Sequence, residues 1–309
     1  MRFVLSAEQR MFAGTLRGLL ADAGTVKAAR AWAAGDAAPG RALWSAVAGT
    51  GVFALAVPEE HGGAGPLPVE LVVAMEELGR AAAPGPYVET LAAAELLVRL
   101  HPDALGEPAL PERIAEGAAL VSLAVPHALD ADVADAVLAL DGTPREPAGR
   151  ALPSLDPARR LFPVGSPVPG ISDLGTLLCA AQQLGVGRAL LDVSVEYAKT
   201  RRQFGRPIGE YQAIAHHLAG ALVELEFARP LLYGAALAYG TPDFARDVSA
   251  AKVAASEASY ATARTALQVH GAIGYTDEYD PSLWIRKARA LYTAWGTPAE
   301  HRARVMASL

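Results

Sequence analysis

The chain has 309 residues, 52% hydrophobic and 19% charged, with 27 basic against 33 acidic side chains. A net charge of −6 argues against a surface for nucleic acid or an anionic membrane, and a single cysteine, Cys179, excludes an internal disulfide or a cysteine-rich metal site. No apolar run is long enough to span a bilayer, and "MRFVLSAEQR" lacks the apolar core of a signal peptide, so a cytoplasmic protein of two or three subdomains is expected.

Residues 5–100 read as helices separated by turns. "SAEQRMFAGTLRGLLADAG" opens on Ser6, a cap candidate, and carries Met11, Leu16, Leu19 and Leu20 at helical spacing. "ALWSAVAGTGVFALAVPEEHGGAGPLP" predicts a short helix, an apolar run and a Gly/Pro-rich loop at 62–68. Two further helices follow, broken at Pro84–Gly85–Pro86. The section 119–170 differs: "ALVSLAVP" and "ADAVLALDG" are short, apolar and bounded by turn residues, as strands are, and "PVGSPVPG" is a proline-rich connector.

From about 172 the helical pattern returns. "DLGTLLCAAQQLGVGRALLDVSVEYAKTRRQ" predicts one long amphipathic helix with Asp173 as a cap near its start and cations at its end. Cys179 sits in an apolar setting and reads as a buried structural thiol. Ile214, Leu218, Leu222 and Leu225 predict the buried stripe of the next helix, which Pro230 should kink or end. A third long helix covers "DFARDVSAAKVAASEASYATARTALQVHG", and "PSLWIRKARALYT" and "PAEHRARVMASL" close the chain. His216, His217 and Glu224 lack the paired Glu-x-x-His motif of a di-iron bundle, and no Gly-x-Ser-x-Gly elbow is present. Glu278 in "YTDEYD" reads as structural. The fold class is mainly α, in three parts: an N-terminal helical domain at 1–115, a reduced β middle at 116–170 and a helical bundle at 171–309.

Five ordered motifs resemble the acyl-CoA dehydrogenase family: "LWSAVAGTGVFALAVPEEHGGAG", "MEELGRAAAPGPYVET", "LDPARRLFPV", "YAKTRRQFGRPIGEYQAIAHHLA" and "ALQVHGAIGYTDEYDPSLWIRKA". The resemblance implies FAD at a subunit boundary, its adenosine-diphosphate end gripped by an Arg-x-x-Phe-Gly and a Gln-x-x-Gly motif of the neighbouring subunit. Carried over, these fall on Arg201, Gln203, Phe204, Ile208 and Gln212, and on Gln268 and Gly271. A guanidinium suits a pyrophosphate, amides donate, and glycine lets backbone approach the ligand. Taken alone, 199–206 is also an ordinary cationic helix end.

The family's catalytic glutamate should precede a Gly-Thr pair. Here "TAWGT" places Trp295 there, before Gly296 and Thr297, and an indole cannot accept the proton. The alternative base position on the long helix falls at or beside Gly175. The strand motifs that grip the flavin ring are also missing, so no catalytic residue is assigned and no metal is expected. The pattern is similar to the base-lacking subunit of the actinobacterial α2β2 acyl-CoA dehydrogenases that desaturate steroid side-chain thioesters. It implies a homologous full-length partner subunit, an acyl-CoA substrate in that partner's cleft and a flavoprotein electron acceptor. Two alternatives stay open: a homo-oligomer with an atypical base, and a structural subunit without FAD.

Overall fold

The computed structural model describes residues 4–100, 110–165, 168 and 170–309. Helix α1 (Ala7–Asp22) starts on a full capping box: Ser6 Oγ accepts from the Gln9 backbone, and the Gln9 side chain accepts from Ser6 N–H. Helices α2 (Thr25–Ala33) and α3 (Ala38–Ala48) follow, then a 3₁₀ turn at Phe53–Ala56 and the Gly/Pro loop. Helices α4 (Pro68–Arg80) and α5 (Tyr87–Leu100) flank Pro84–Gly85–Pro86 as expected, and α6 (Leu110–Ala115) ends this part. Trp44 stacks on Phe53 and Tyr87, with centroids 4.4 and 4.6 Å apart, which locks α3 and α5 around the 3₁₀ turn.

The middle holds little sheet. Strand β1 (Val121–Leu123) pairs in parallel with β3 (Ala136–Leu138), while β2 (Ala128–Leu129) pairs antiparallel with β4 (Leu161–Phe162). Ala128, Ala131, Val137 and Phe162 form a small cluster of their own, separate from the one core that runs through the helices on both sides. The connector expected at 163–170 lies partly outside the described residues.

Helix α7 (Asp173–Thr200) is the axis of the C-terminal part. The sequence suggests a one-sided amphipathic helix, but every residue from Leu174 to Gly187 is buried, because α4, α8, α9 and α10 surround it. Its cap is Ser172, whose Oγ accepts from Gly175 N–H; Asp173 instead pairs with Arg304. Glycines allow the closest crossing. A methyl group at Gly79 would stand within 3.0 Å of the Gln182 backbone, and one at Gly185 within 2.9 Å of the Glu76 carbonyl and Arg80 nitrogen, so α4 and α7 touch backbone to backbone.

A short hairpin, β5 (Arg202–Gln203) and β6 (Arg206–Pro207), joins α7 to α8 (Gln212–Leu237). Helix α8 continues through Pro230, which sits on an exposed face where its ring meets solvent. The buried stripe of α8 is Leu218, Ala221, Leu225, Ala228 and Leu232; Leu222, 41% exposed, falls outside it because the 3-4-3-4 step selects Ala221. Helices α9 (Phe244–His270), α10 (Pro281–Thr293) and α11 (Pro298–Ala307) complete the bundle. Among the described residues no helix is long and apolar enough to cross a membrane, and no group of three or more His, Cys, Asp or Glu could hold a metal.

Candidate functional site

Two places bring together the residues singled out in the sequence. The first is the end of α7. Arg201 leaves the helix in extended conformation, its N–H still bonded to the Tyr197 carbonyl at 2.8 Å and its carbonyl accepting from Ile208 N–H at 2.8 Å. The chain then turns at Phe204 and Gly205, both left-handed at φ 50° and 84°, the geometry of a two-residue hairpin turn. Phe204 is bulky, carries a conformation costly outside glycine, and is nevertheless 93% exposed at the tip.

The three arginines here divide their work. Arg202 donates to the Gly205 carbonyl at 2.8 Å and Arg206 stacks over the Tyr211 ring at 4.1 Å. Tyr211 in turn donates to the Gln203 carbonyl at 3.1 Å. Arg202, Arg206 and Tyr211 therefore build the hairpin. Arg201 is exposed, and among the described residues its guanidinium has no partner.

The second element is the end of α9. Gly271 has φ 65° and ψ −141°, a region open in practice to glycine alone, and nothing lies within 4 Å of where a Cβ would stand. Gln268 and Gly271 line a cavity of about 690 Å³ together with His217, Arg264, Thr265 and Tyr275. His270 connects the two elements. Its ring packs 4.5 Å from Tyr197, one turn before Arg201, and 5.2 Å from Tyr279. Burial pushes its pKa down, and Nδ1 donates to the Ala266 carbonyl at 2.8 Å, so the ring is a neutral wedge. The Tyr197–His270 contact thus ties the end of α7 to the end of α9; Arg201 itself is not among the residues lining the cavity. Gln203 and Gln212 are exposed beside the hairpin and Ile208 is half-buried beneath it.

Trp295 lies elsewhere and in a different setting. It is 5% exposed, has φ 60°, and packs its ring into the notch above Gly175. A methyl group at Gly175 would overlap the indole, with Cζ3, Cη2 and Cε3 all within 2.8 Å. The Trp295 carbonyl accepts from His301 Nε2 at 2.8 Å, and a methyl at Gly296 (φ 100°) would strike that imidazole. Both alternative positions for a base are therefore filled by one tryptophan packed on one glycine.

Two carboxylates come near. Glu300 lines a cavity of about 480 Å³ with Trp295, Thr293 and Pro126, but its oxygen accepts from Thr297 N–H at 2.7 Å and from Thr297 Oγ1 at 2.8 Å. Those bonds hold its pKa below the usual range and make it a poor base. Glu89 on α5 is buried, and desolvation raises its pKa against the opposing pull of Arg159, 3.9 Å away, and of the Trp295 indole. Glu89 lines none of the described cavities. Sequence reading passed over it although it stands in "YVET" as a lone carboxylate among apolar helix positions, which is the available signal. Lys252 was missed likewise. It is fully buried, its pKa lowered by desolvation, and its Nζ donates to Gln183 Oε1 and the Leu291 carbonyl, both at 2.9 Å.

Residues 6–117 match the N-terminal domain and residues 173–309 the C-terminal domain of acyl-CoA dehydrogenases. Acyl-CoA dehydrogenase IpdE2 of Mycobacterium tuberculosis is 35% identical over 95% of this chain and 94% of its own length. The chain belongs to the acyl-CoA dehydrogenase family of oxidoreductases. Acyl-CoA dehydrogenase IpdE2 of Mycolicibacterium smegmatis is 31% identical over 99% of this chain and 100% of that one. Among solved structures, a chain of the ChsE4–ChsE5 complex from Mycobacterium tuberculosis shares the fold with a TM-score of 0.81 at 23% identity, covering 100% of this chain and 98% of that chain. The Tcur3481–Tcur3483 steroid acyl-CoA dehydrogenase variant gives 0.82 at 24%, covering 97% of each chain. The family assignment agrees with the mainly helical fold and with the motifs at both ends of the chain.

Proposed function

We propose that this chain is the non-catalytic, cofactor-holding subunit of a heteromeric FAD-dependent acyl-CoA dehydrogenase. The division runs at 115 and 170, and the bundle beyond 170 carries the half-site. Arg201, Gln203, Phe204, Ile208, Gln212, Gln268 and Gly271 hold the adenosine-diphosphate end of an FAD whose flavin ring serves a homologous, full-length partner subunit in an α2β2 assembly. The donor set fits that end of the cofactor: an unpartnered guanidinium, exposed amides, an apolar Phe204 wall and bare backbone at Gly271. When bound, FAD supplies the acceptor for a hydride leaving the acyl chain, and reduced flavin passes electrons on to a flavoprotein acceptor. The acyl-CoA lies in the partner's cleft in the cytoplasm. A steroid side-chain thioester is the first candidate, because one structural neighbour is described as a steroid acyl-CoA dehydrogenase.

The observation that carries this reading is the Trp295 indole seated on Gly175, which removes base and space together. Co-expression with homologous partners tests it. The complex should hold one FAD for each pair of unlike subunits, and Arg201→Ala should lower that content. A complex that keeps full flavin with Arg201→Ala sinks the reading and leaves a structural subunit.

Glu89, a buried carboxyl beside Trp295, is the group that a second reading, a self-sufficient homo-oligomer, would use as its base. That reading requires Trp295 to move aside, because Glu89 lines none of the described cavities. Yellow protein from this chain alone, bleached by an acyl-CoA in wild type and not in Glu89→Gln, would establish it.

A further inference from the structure

The cavity at the end of α9 contains a cation that the motif comparison does not assign. Arg264 stands one helical turn before Gln268, so both side chains project from the same face of α9, and both line the cavity of about 690 Å³. Arg264 also lines a second cavity of about 320 Å³, whose wall includes Tyr260, Leu267, Ile285 and Tyr275. It therefore occupies the partition between a polar and a largely apolar space.

Arg264 is exposed, and among the described residues no carboxylate, carbonyl or ring engages its guanidinium. The nearest candidate, Asp277, lines the smaller cavity but is committed to Arg286 at 2.7 Å. The other arginine of that wall, Arg289, is stacked over Tyr260 and Tyr292 at 5.5 and 5.4 Å. In a chain with a net charge of −6, an uncommitted guanidinium facing a cavity beside an amide and a bare glycine has the donors of an anion site. A guanidinium offers two parallel N–H groups to a phosphate. His217, reaching the same cavity from α8, adds a ring nitrogen on the opposite wall.

We propose that Arg264 is a second phosphate-pairing residue of this half-site, gripping the diphosphate of a nucleoside diphosphate from inside the cavity while Arg201 closes on it from the hairpin. This rests on the half-site reading above and gives it a two-cation grip. The hairpin alone would offer only one uncommitted guanidinium, exposed at its base. A cation fixed on the rigid α9 helix supplies a position that does not depend on the hairpin's conformation.

The test uses the full chain and two probes, ADP and adenosine, titrated by calorimetry. Arg264→Gln is expected to weaken ADP about tenfold, the loss of one charge-assisted pair, and to leave adenosine and the melting temperature unchanged. Arg264→Lys, which keeps the charge and loses the fork, should recover part of that loss. Equal weakening of ADP and adenosine overturns the proposal, because Arg264 would then only shape the cavity. Unchanged ADP binding in Arg264→Gln, with binding lost in Arg201→Gln, overturns Arg264 and leaves the half-site standing. Loss with Arg264→Gln but not with Arg201→Gln supports Arg264 and removes the hairpin arginine. No ADP binding by the wild-type chain overturns both.

Discussion

The end of α7 and the pocket around Trp295 carry non-glycine residues of the same left-handed backbone type, yet for opposite ends. Phe204 at φ 50° is thrust into solvent, and Trp295 at φ 60° is sealed in the core. An exposed aromatic on a costly backbone gains nothing within the isolated chain, which suits the proposed contact of Phe204 with the cofactor. A buried aromatic on a similar backbone is compensated locally, by packing on Gly175 and by the His301 bond to its carbonyl. In this chain the strained residue at the surface is left open to solvent, while the one at Gly175 is packed shut.

The contrast can be broken most forcefully at Trp295. Trp295→Ala should lower stability by about 3–5 kcal/mol through the cavity it leaves, read from denaturant unfolding. A change under about 1 kcal/mol would mean that the indole is not packed as described. Gly175→Ala comes next, at about 1–3 kcal/mol from overpacking. In a Trp295→Ala background that cost should largely vanish, and strict additivity of the two changes would show that the residues do not touch.

Glu89 gives a pH-dependent effect. Its folded pKa is raised above the ordinary 4.5, so the native state holds its proton more tightly than the unfolded chain. Stability from this group is then lost as pH rises past 4.5 toward the folded value. Glu89→Gln should flatten that part of the stability curve, and identical slopes in variant and wild type would refute the burial. The smallest stability effect belongs to Arg201→Ala, within about 0.5 kcal/mol, even though it should cost the complex its flavin. A large fall in melting temperature there would make Arg201 structural after all.

Much of the fold was legible in the sequence because local signals suffice for it. Ser6 announces a helix cap, Pro84–Gly85–Pro86 breaks a helix pair, and turn residues bracket the strands at 121 and 136. The errors came where packing overrides period. Leu222 looked like core by its spacing, but α9 meets α8 along Ala221 and Leu225, and α7 is buried all round because four helices enclose it. The candidate site divides in the same way. Motif spacing located Trp295 and Gly175 separately, but only three-dimensional packing shows that one fills the other. Arg264 belongs to no motif and Glu89 carries no role in the motif that contains it; the significance of the first lies in what fails to pair with it and of the second in its burial.

The close crossing of α4 and α7, where Gly79 faces the Gln182 backbone and Gly185 faces the backbone of Glu76 and Arg80, bears on how the two helical parts are joined. The two helical parts meet along a seam of bare backbone, and one continuous core passes through it and takes in Val121, Leu123 and Leu138 of the strands, while Ala128, Ala131, Val137 and Phe162 keep a small cluster apart. The seam itself is made by α4 and α7 alone. A single added methyl group at either glycine would pry the two helices apart.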